Sequence, residues 1–242
     1  MEEMFAPSML YEFGIWYLVF LFSLTLHEGA HALAARLGGD DTAYLGGQVT
    51  LNPLPHIQRE PLGTVLLPIA SFFFAGWMMG WASTPYDPHW ARRHPRRQAA
   101  MSAAGPAGNL LIAAAGFAAL SLLLGAGTFV VPHVDGLSIS HLVEPNASYG
   151  PGSLMHPLAM GLSIALSLNV LLFLFNLLPL PPLDGSGVLH GLFPDSLGRG
   201  IDALRANPMM GMLGLLMAWQ VFDYIFYPVF RVVLRLLYAQ GS

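Results

Sequence analysis

Apolar residues in this chain run in blocks rather than in alternation. Four blocks, residues 13–37, 98 to about 124, 156–178 and 208–227, reach the roughly 20 residues that carry a helix across a bilayer core. The first stops at Gly38-Gly39, a helix-ending signal. A fifth apolar stretch, residues 62–81, is interrupted by Pro68, Gly76 and Gly80. Between Ala43 and Leu51, AYLGGQVTL sets β-type residues around a glycine pair, which predicts a short strand or hairpin near the interface. Residues 128–155 are polar and contain Gly and Pro, a loop pattern. The pattern predicts an all-α multi-pass membrane protein. It has about four spanning helices, a re-entrant hairpin and a short interfacial β-strand or hairpin. Residues 1–242 form one membrane domain, with a core of about 13–193 and a C-terminal span of about 208–238.

Composition agrees. Of 242 residues, 55% are hydrophobic and 10% charged, against the roughly 25% charged of an ordinary soluble domain. Cys is absent, which excludes disulfides and thiolate metal sites and leaves His and carboxylate as the metal-binding side chains. Glu2 and Glu3 stand where a signal peptide carries basic residues, so no cleavable leader is expected. Every basic residue is Arg. Their number is too small for a nucleic-acid partner, and the cluster Arg92, Arg93, Arg96 and Arg97 suits lipid headgroups.

Arginine placement sets the topology. Arg36, Arg59, the Arg92–Arg97 cluster, Arg199 and Arg205 flank apolar blocks, whereas no Arg lies between Gln98 and Gly198. The positive-inside rule then puts the 128–155 loop outside and the arginine-flanked segments in the cytoplasm. That arrangement requires residues 62–81 to enter and leave on one side; a plain crossing would put four arginines outside. Arg231 and Arg235 fit less well and suggest an interfacial amphipathic tail.

Inside the first block stands His27-Glu28-Gly29-Ala30-His31. Ionisable groups in a spanning helix cost on the order of 2–3 kcal/mol each, so this cluster calls for a role. Histidines at i and i+4 share one helix face and can reach one metal ion. The glutamate at i+1 sits within reach of a water on that metal, where it serves as general base in attack on a carbonyl. The bland alternative is a polar cluster satisfied by neighbouring helices. With Phe13 at the outer interface, a rise of about 1.5 Å per residue puts His27 and His31 roughly 21 and 27 Å down.

A hydrolytic zinc site needs a third protein ligand and an open position. Asp184 is the candidate, in Asn176-Leu-Leu-Pro179-Leu-Pro181-Pro182-Leu-Asp184-Gly185, where three prolines end a helix and turn the chain. Taken alone this is an ordinary helix-ending turn with a capping Asp. Its depth, on the same side as His31, favours a ligand.

Together these motifs resemble the site-2 protease family of intramembrane zinc metalloproteases, in its compact bacterial branch without a PDZ or CBS domain. That family pairs H-E-x-x-H with N-x-x-P-x-P-x-L-D-G. Gly105-Pro106-Ala107-Gly108-Asn109 matches its G-P-x-x-N element, and residues 47–53 resemble the stretch after its first motif, so the similarity spans about residues 18–185. The resemblance implies one Zn²⁺ held by His27, His31 and Asp184, with Glu28 as general base. It implies a zinc endopeptidase cutting in or beside a transmembrane segment of a membrane-protein substrate. It also implies a bacterial inner membrane with the site toward the cytoplasm.

Asn109 and Asn176 carry two readings each, a helix-to-helix bond or a contact to substrate backbone or oxyanion. The stretch at Gln48–Leu51 could add an edge strand to an unwound substrate or be a plain hairpin. His56, His89, His94, His133, His141, His156 and His190 show no ligand spacing, and Asp223 and Gln220 in the last block have no assigned role. The rivals are a zinc transporter, which would need further polar ligands along the spans, and an inactive membrane scaffold or chaperone, which would have no use for Glu28.

Overall fold

The structure is a computed structural model that describes residues 7–133 and 138–239. The acidic start at Glu2 and Glu3 and part of the 128–155 loop lie outside the described residues. Among the described residues, four helices are long and apolar enough to cross a membrane: α1 (Pro7–Leu37), α6 (Pro95–Gly125), α7 (Met155–Asn176) and α10 (Pro208–Tyr238). Short helices fill the intervals: α2 (Thr42–Leu45), α3 (Leu54–Arg59), α4 (Leu67–Ala75), α5 (Pro88–Arg93), α8 (Asp184–Leu192) and α9 (Arg199–Arg205). Single π-helical turns precede α4 at Leu62–Leu66 and α9 at Pro194–Gly198. A two-stranded antiparallel sheet pairs β1 (Phe129–Val130) with β2 (Glu144–Pro145).

Helix α6 is the centre, packed against α1, α7 and α8. The interior inverts the pattern of a soluble protein. Leu18, Phe74 and Leu122 are 70%, 86% and 74% exposed, whereas Ser23, Asn109, Ser163 and Asn169 are fully buried. Outward apolar surface with polar glue between helices is the arrangement that lipid selects.

The expected hairpin at 62–81 takes a specific form. Its helical arm, Leu62–Ala75, spans about 21 Å, short of a roughly 30 Å core. It ends at Gly76, whose φ of +74° gives a left-handed cap. An extended segment then returns, and Trp81 N–H donates to the Gly63 carbonyl at 3.1 Å, so both ends of the excursion meet. The return is possible because Gly63 and Gly80 lack side chains; a Cβ on Gly63 would strike the Trp81 backbone.

Two sequence expectations need correction. The stretch at 43–51 holds no strand: Thr42–Leu45 is a helical turn closed by Gly47 at φ +71°, followed by bends. Asp40 accepts from the Thr42 N–H at 3.0 Å and its hydroxyl at 2.5 Å, and this local bonding outweighs the β-propensity of the residues that follow. The β-pairing lies instead within the 128–155 loop. Helix α10 also runs unbroken through Pro228 to Tyr238, so Arg231 and Arg235 sit on the same helix rather than on a separate tail. Stacked Phe222, Phe226 and Phe230, with ring centroids 5.4 and 5.0 Å apart, hold the helix together across the proline.

Candidate metal centre

His27 and His31 lie one turn apart on α1, and their Nε2 atoms are 3.0 Å apart. Asp184 Oδ2 stands 3.2 Å from His27 Nε2 and 3.3 Å from His31 Nε2. Residues separated by more than 150 positions thus present three atoms to one point. Asp184 is the first residue of α8, freed from the preceding chain by the prolines at 179, 181 and 182. Helix α8 rests on α6 through glycines. A Cβ on Gly187 would strike Ser102, and one on Gly191 would strike the Pro95 carbonyl. On α6 the facing residue is Gly105, whose absent Cβ would fall among the two Nε2 atoms.

The far sides of both rings are engaged. His31 Nδ1 lies 2.7 Å from the Met101 carbonyl, which only accepts, so Nδ1 carries the hydrogen and Nε2 presents its lone pair. His27 Nδ1 lies 2.6 Å from Asn109 Oδ1. Asp184 Oδ2 is buried and has no hydrogen-bond partner. Three acceptor atoms this close repel one another. The triangle is stable only with positive charge inside it, a proton on an imidazole or a metal cation. Burial by itself pushes the Asp184 carboxyl up. A protonated His31 beside it outweighs that effect and holds the carboxyl well below the usual carboxylate range.

Glu28 is buried beside the pair, and its carboxylate lies within 4.8 Å of the ligand atoms of His27 and His31. It is held by Thr84, whose Oγ1 lies 2.7 Å from Glu28 Oε2 and 3.0 Å from the Glu28 carbonyl. Thr84 belongs to the segment returning from the hairpin, which is stitched down on both sides. Ser83 donates to Glu60 at 2.6 Å, and the Asp87 N–H donates to Asp40 at 2.8 Å. Sequence reasoning missed Thr84; a single threonine in an extended segment carries no spacing signal.

Asn109 is fully buried, with its Oδ1 on His27 and its Nδ2 donating to Asn169 at 2.8 Å. Asn176 is half-buried at the end of α7 and donates to the Leu172 carbonyl at 3.0 Å. His56 is buried and faces the Thr50 carbonyl at 3.4 Å. An apolar groove of about 690 Å³ runs along the adjacent faces of α1 and α6, lined by Leu26, Gly29, Ala30, Thr50, Ala104 and Gly108. Small residues on both helices make the room.

Comparison with known proteins agrees with the motifs. The chain is 38% identical over 173 residues to a Bacillus subtilis protein named "Putative zinc metalloprotease YwhC", covering 71% of this chain and 66% of that one. It is 30% identical over 180 residues to a Mycolicibacterium smegmatis protein named "Putative zinc metalloprotease Rip2", covering 73% of this chain and 58% of the relative. The chain therefore spans less than two thirds of either relative's length. No solved structure gives a significant match. The model of peptidase family M50 matches residues 15–219, which takes in most of α1, the hairpin, α6, α7, α8 and more than a third of α10. With two histidines and a glutamate on one of its four apolar spans and an aspartate on a short helix beside them, the chain is an integral membrane protein that belongs to peptidase family M50.

Proposed function

We propose that this chain is a zinc endopeptidase that hydrolyses peptide bonds in or beside transmembrane segments of membrane-protein substrates. The observation that carries the reading is the triangle of His27 Nε2, His31 Nε2 and Asp184 Oδ2, with edges of 3.0, 3.2 and 3.3 Å. Tetrahedral zinc with bonds of about 2.0–2.1 Å sets its ligands roughly 3.3 Å apart. The donor set fits as well: two imidazoles and one carboxylate, each aimed inward, with no thiol in the chain. Bound there, zinc would supply Lewis acidity toward a carbonyl and toward a water molecule.

The chain's own groups account for the remaining steps. Glu28, oriented by Thr84, takes a proton from the attacking water and passes it to the leaving amine. The groove along α1 and α6 gives an unwound substrate segment an apolar bed beside the site. In this reading Asn176 bonds substrate backbone, whereas Asn109, buried with its Oδ1 on His27 Nδ1, serves the ligand. The site sits near the end of α1 that carries Arg36, with Arg97 donating to the Gly38 carbonyl at 3.0 Å; by the positive-inside rule this end faces the cytoplasm of a bacterial inner membrane. Transport has less support, because the described residues contain no second cluster of three metal-binding groups.

The test is Glu28→Gln in the full chain. In a comparison of membrane proteomes, wild type should shorten single-span proteins and Glu28→Gln should not, while both should carry one zinc ion per chain. Continued cleavage by Glu28→Gln, or a wild-type protein that binds no zinc, would overturn the reading.

A further inference from the structure

Behind His27 a line of side chains passes from α1 to α6, on to α7, and back to α1. His27 Nδ1 faces Asn109 Oδ1 at 2.6 Å, and Asn109 Nδ2 donates to Asn169 Oδ1 at 2.8 Å. Asn169 Nδ2 donates to the Ala165 carbonyl at 2.8 Å and to Ser23 Oγ at 2.9 Å. Ser23 in turn donates to the Val19 carbonyl at 2.8 Å. Ser23, Asn109 and Asn169 are all fully buried, so no solvent substitutes for any member.

An amide is nearly symmetrical in shape, so its orientation must come from its partners. Here the partners leave no freedom. A backbone carbonyl only accepts, so Ala165 fixes the NH₂ side of Asn169. The Asn169 oxygen then faces Asn109, which must present its own NH₂ there. The Asn109 oxygen is left for His27, which must answer with Nδ1–H. The line therefore has a direction, set at a carbonyl on α7 and read out as the tautomer of a ring on α1. That tautomer leaves His27 Nε2 bare toward Asp184.

We propose that Asn109 and Asn169 are positioning residues, a two-amide relay that fixes the tautomer and orientation of His27 as a metal ligand. The inference rests on the zinc reading above. His31 needs no relay, because the Met101 carbonyl addresses its Nδ1 directly. His27 has an amide in the same place, and an amide that could turn over would offer its NH₂ to Nδ1 and spoil the ligand. Asn169 prevents the turn. A plain helix-packing role would ask only that the amides bond each other.

The experiment uses the full chain purified in detergent, with zinc affinity measured by chelator competition and folding followed by melting temperature. Asn109→Leu should lose about 10- to 100-fold in zinc affinity. Asn169→Leu should lose less, because Asn109 remains but is free to turn. Asn109→Asp keeps an acceptor oxygen toward Nδ1, and its second oxygen, protonated, donates to Asn169 Oδ1 in place of the amide N–H, so it should bind zinc within about threefold of wild type. Its cobalt(II)-substituted form should show shifted visible bands, because a carboxyl oxygen in place of the amide oxygen alters the basicity of His27. Zinc affinity within twofold of wild type in folded Asn109→Leu overturns the relay, as does an equal loss in Asn109→Asp. If Asn109→Leu does not fold, Asn109→Asp decides: a tenfold loss, or cobalt bands identical to wild type, overturns it. A wild-type chain that binds neither zinc nor cobalt removes the metal reading itself, a result distinct from any of these.

Discussion

Thr84→Val removes one hydroxyl and keeps the shape of the side chain, and it isolates the hold on Glu28. Thr84 Oγ1 lies 2.7 Å from Glu28 Oε2, within the range of a hydrogen bond to a charged oxygen. Such bonds are worth about 1.5–3 kcal/mol. Glu28 is 4% exposed, so water has little room to take the hydroxyl's place. If the whole of that energy serves to aim the carboxylate at the attacking water, its loss slows cleavage by about 10- to 150-fold. The metal ligands are untouched, so zinc content should not change, and the deficit should fall on kcat rather than KM. The assay is turnover of a labelled single-span membrane peptide in detergent, with zinc counted on the same samples. Thr84→Ser keeps the hydroxyl and should recover most of the rate. A Thr84→Val enzyme within twofold of wild type, or one whose deficit tracks lost zinc, refutes the argument.

A methyl placed on Gly105 would lie 2.6 Å from His27 Nε2 and closer still to His31 Nε2, so Gly105→Ala should abolish zinc binding and cleavage, with an overpacking cost of about 1–3 kcal/mol only partly offset by the better helix propensity of Ala, about 1 kcal/mol; zinc at one ion per chain in this variant would contradict the site geometry. Burial would push the Asp40 carboxyl up, but donors from Thr42 and Asp87 hold it below its ordinary value. Its contribution is therefore present above pH of about 4 and lost as pH falls through the lower folded value, so wild type should lose thermal stability below that pH more steeply than Asp40→Asn, and parallel curves would refute the assignment. Ser71 accepts the Met79 N–H at 2.9 Å, and Ser71→Ala leaves that donor unpaired at a cost of about 1–3 kcal/mol; an unchanged melting temperature would show that the return segment does not depend on it.

The parts of this site that the sequence disclosed are those whose expense in lipid is visible in one dimension. Two histidines and a glutamate in an apolar block, and an aspartate after three prolines, stand out because their surroundings penalise them. The hairpin was legible for a related reason, since Pro68, Gly76 and Gly80 break a block that could not otherwise return. The misread stretch at 43–51 failed because one side chain upstream, Asp40, captures Thr42 and starts a helical turn before any β-pairing partner is available. Thr84 and Asn169 were out of reach for another reason. Their partners lie 56 residues away at Glu28 and 60 residues away at Asn109, and neither residue type is conspicuous where it stands.

These observations share one requirement, which is close approach. Helices ordinarily pack with axes 8–10 Å apart, a spacing set by the side chains between them. Three side-chain atoms from α1 and α8 nonetheless come within 3.3 Å of one another over the surface of α6. The chain meets this by removing side chains where helices cross. Gly105 clears the space over the imidazoles, Gly187 and Gly191 let α8 settle onto α6, and Gly29 admits the Thr50 carbonyl to within 3.0 Å of where its Cβ would be. The same economy brings the return segment close enough for Thr84 to reach Glu28, through the contact of Gly63 with Trp81. Glycine weakens a helix in water by about 1 kcal/mol relative to alanine, so its repeated use at these crossings sets proximity above local helix strength. Polar side chains then fill the gaps that remain, with Asn109, Asn169 and Ser23 bonding α1, α6 and α7 at the depth of the His27 ring.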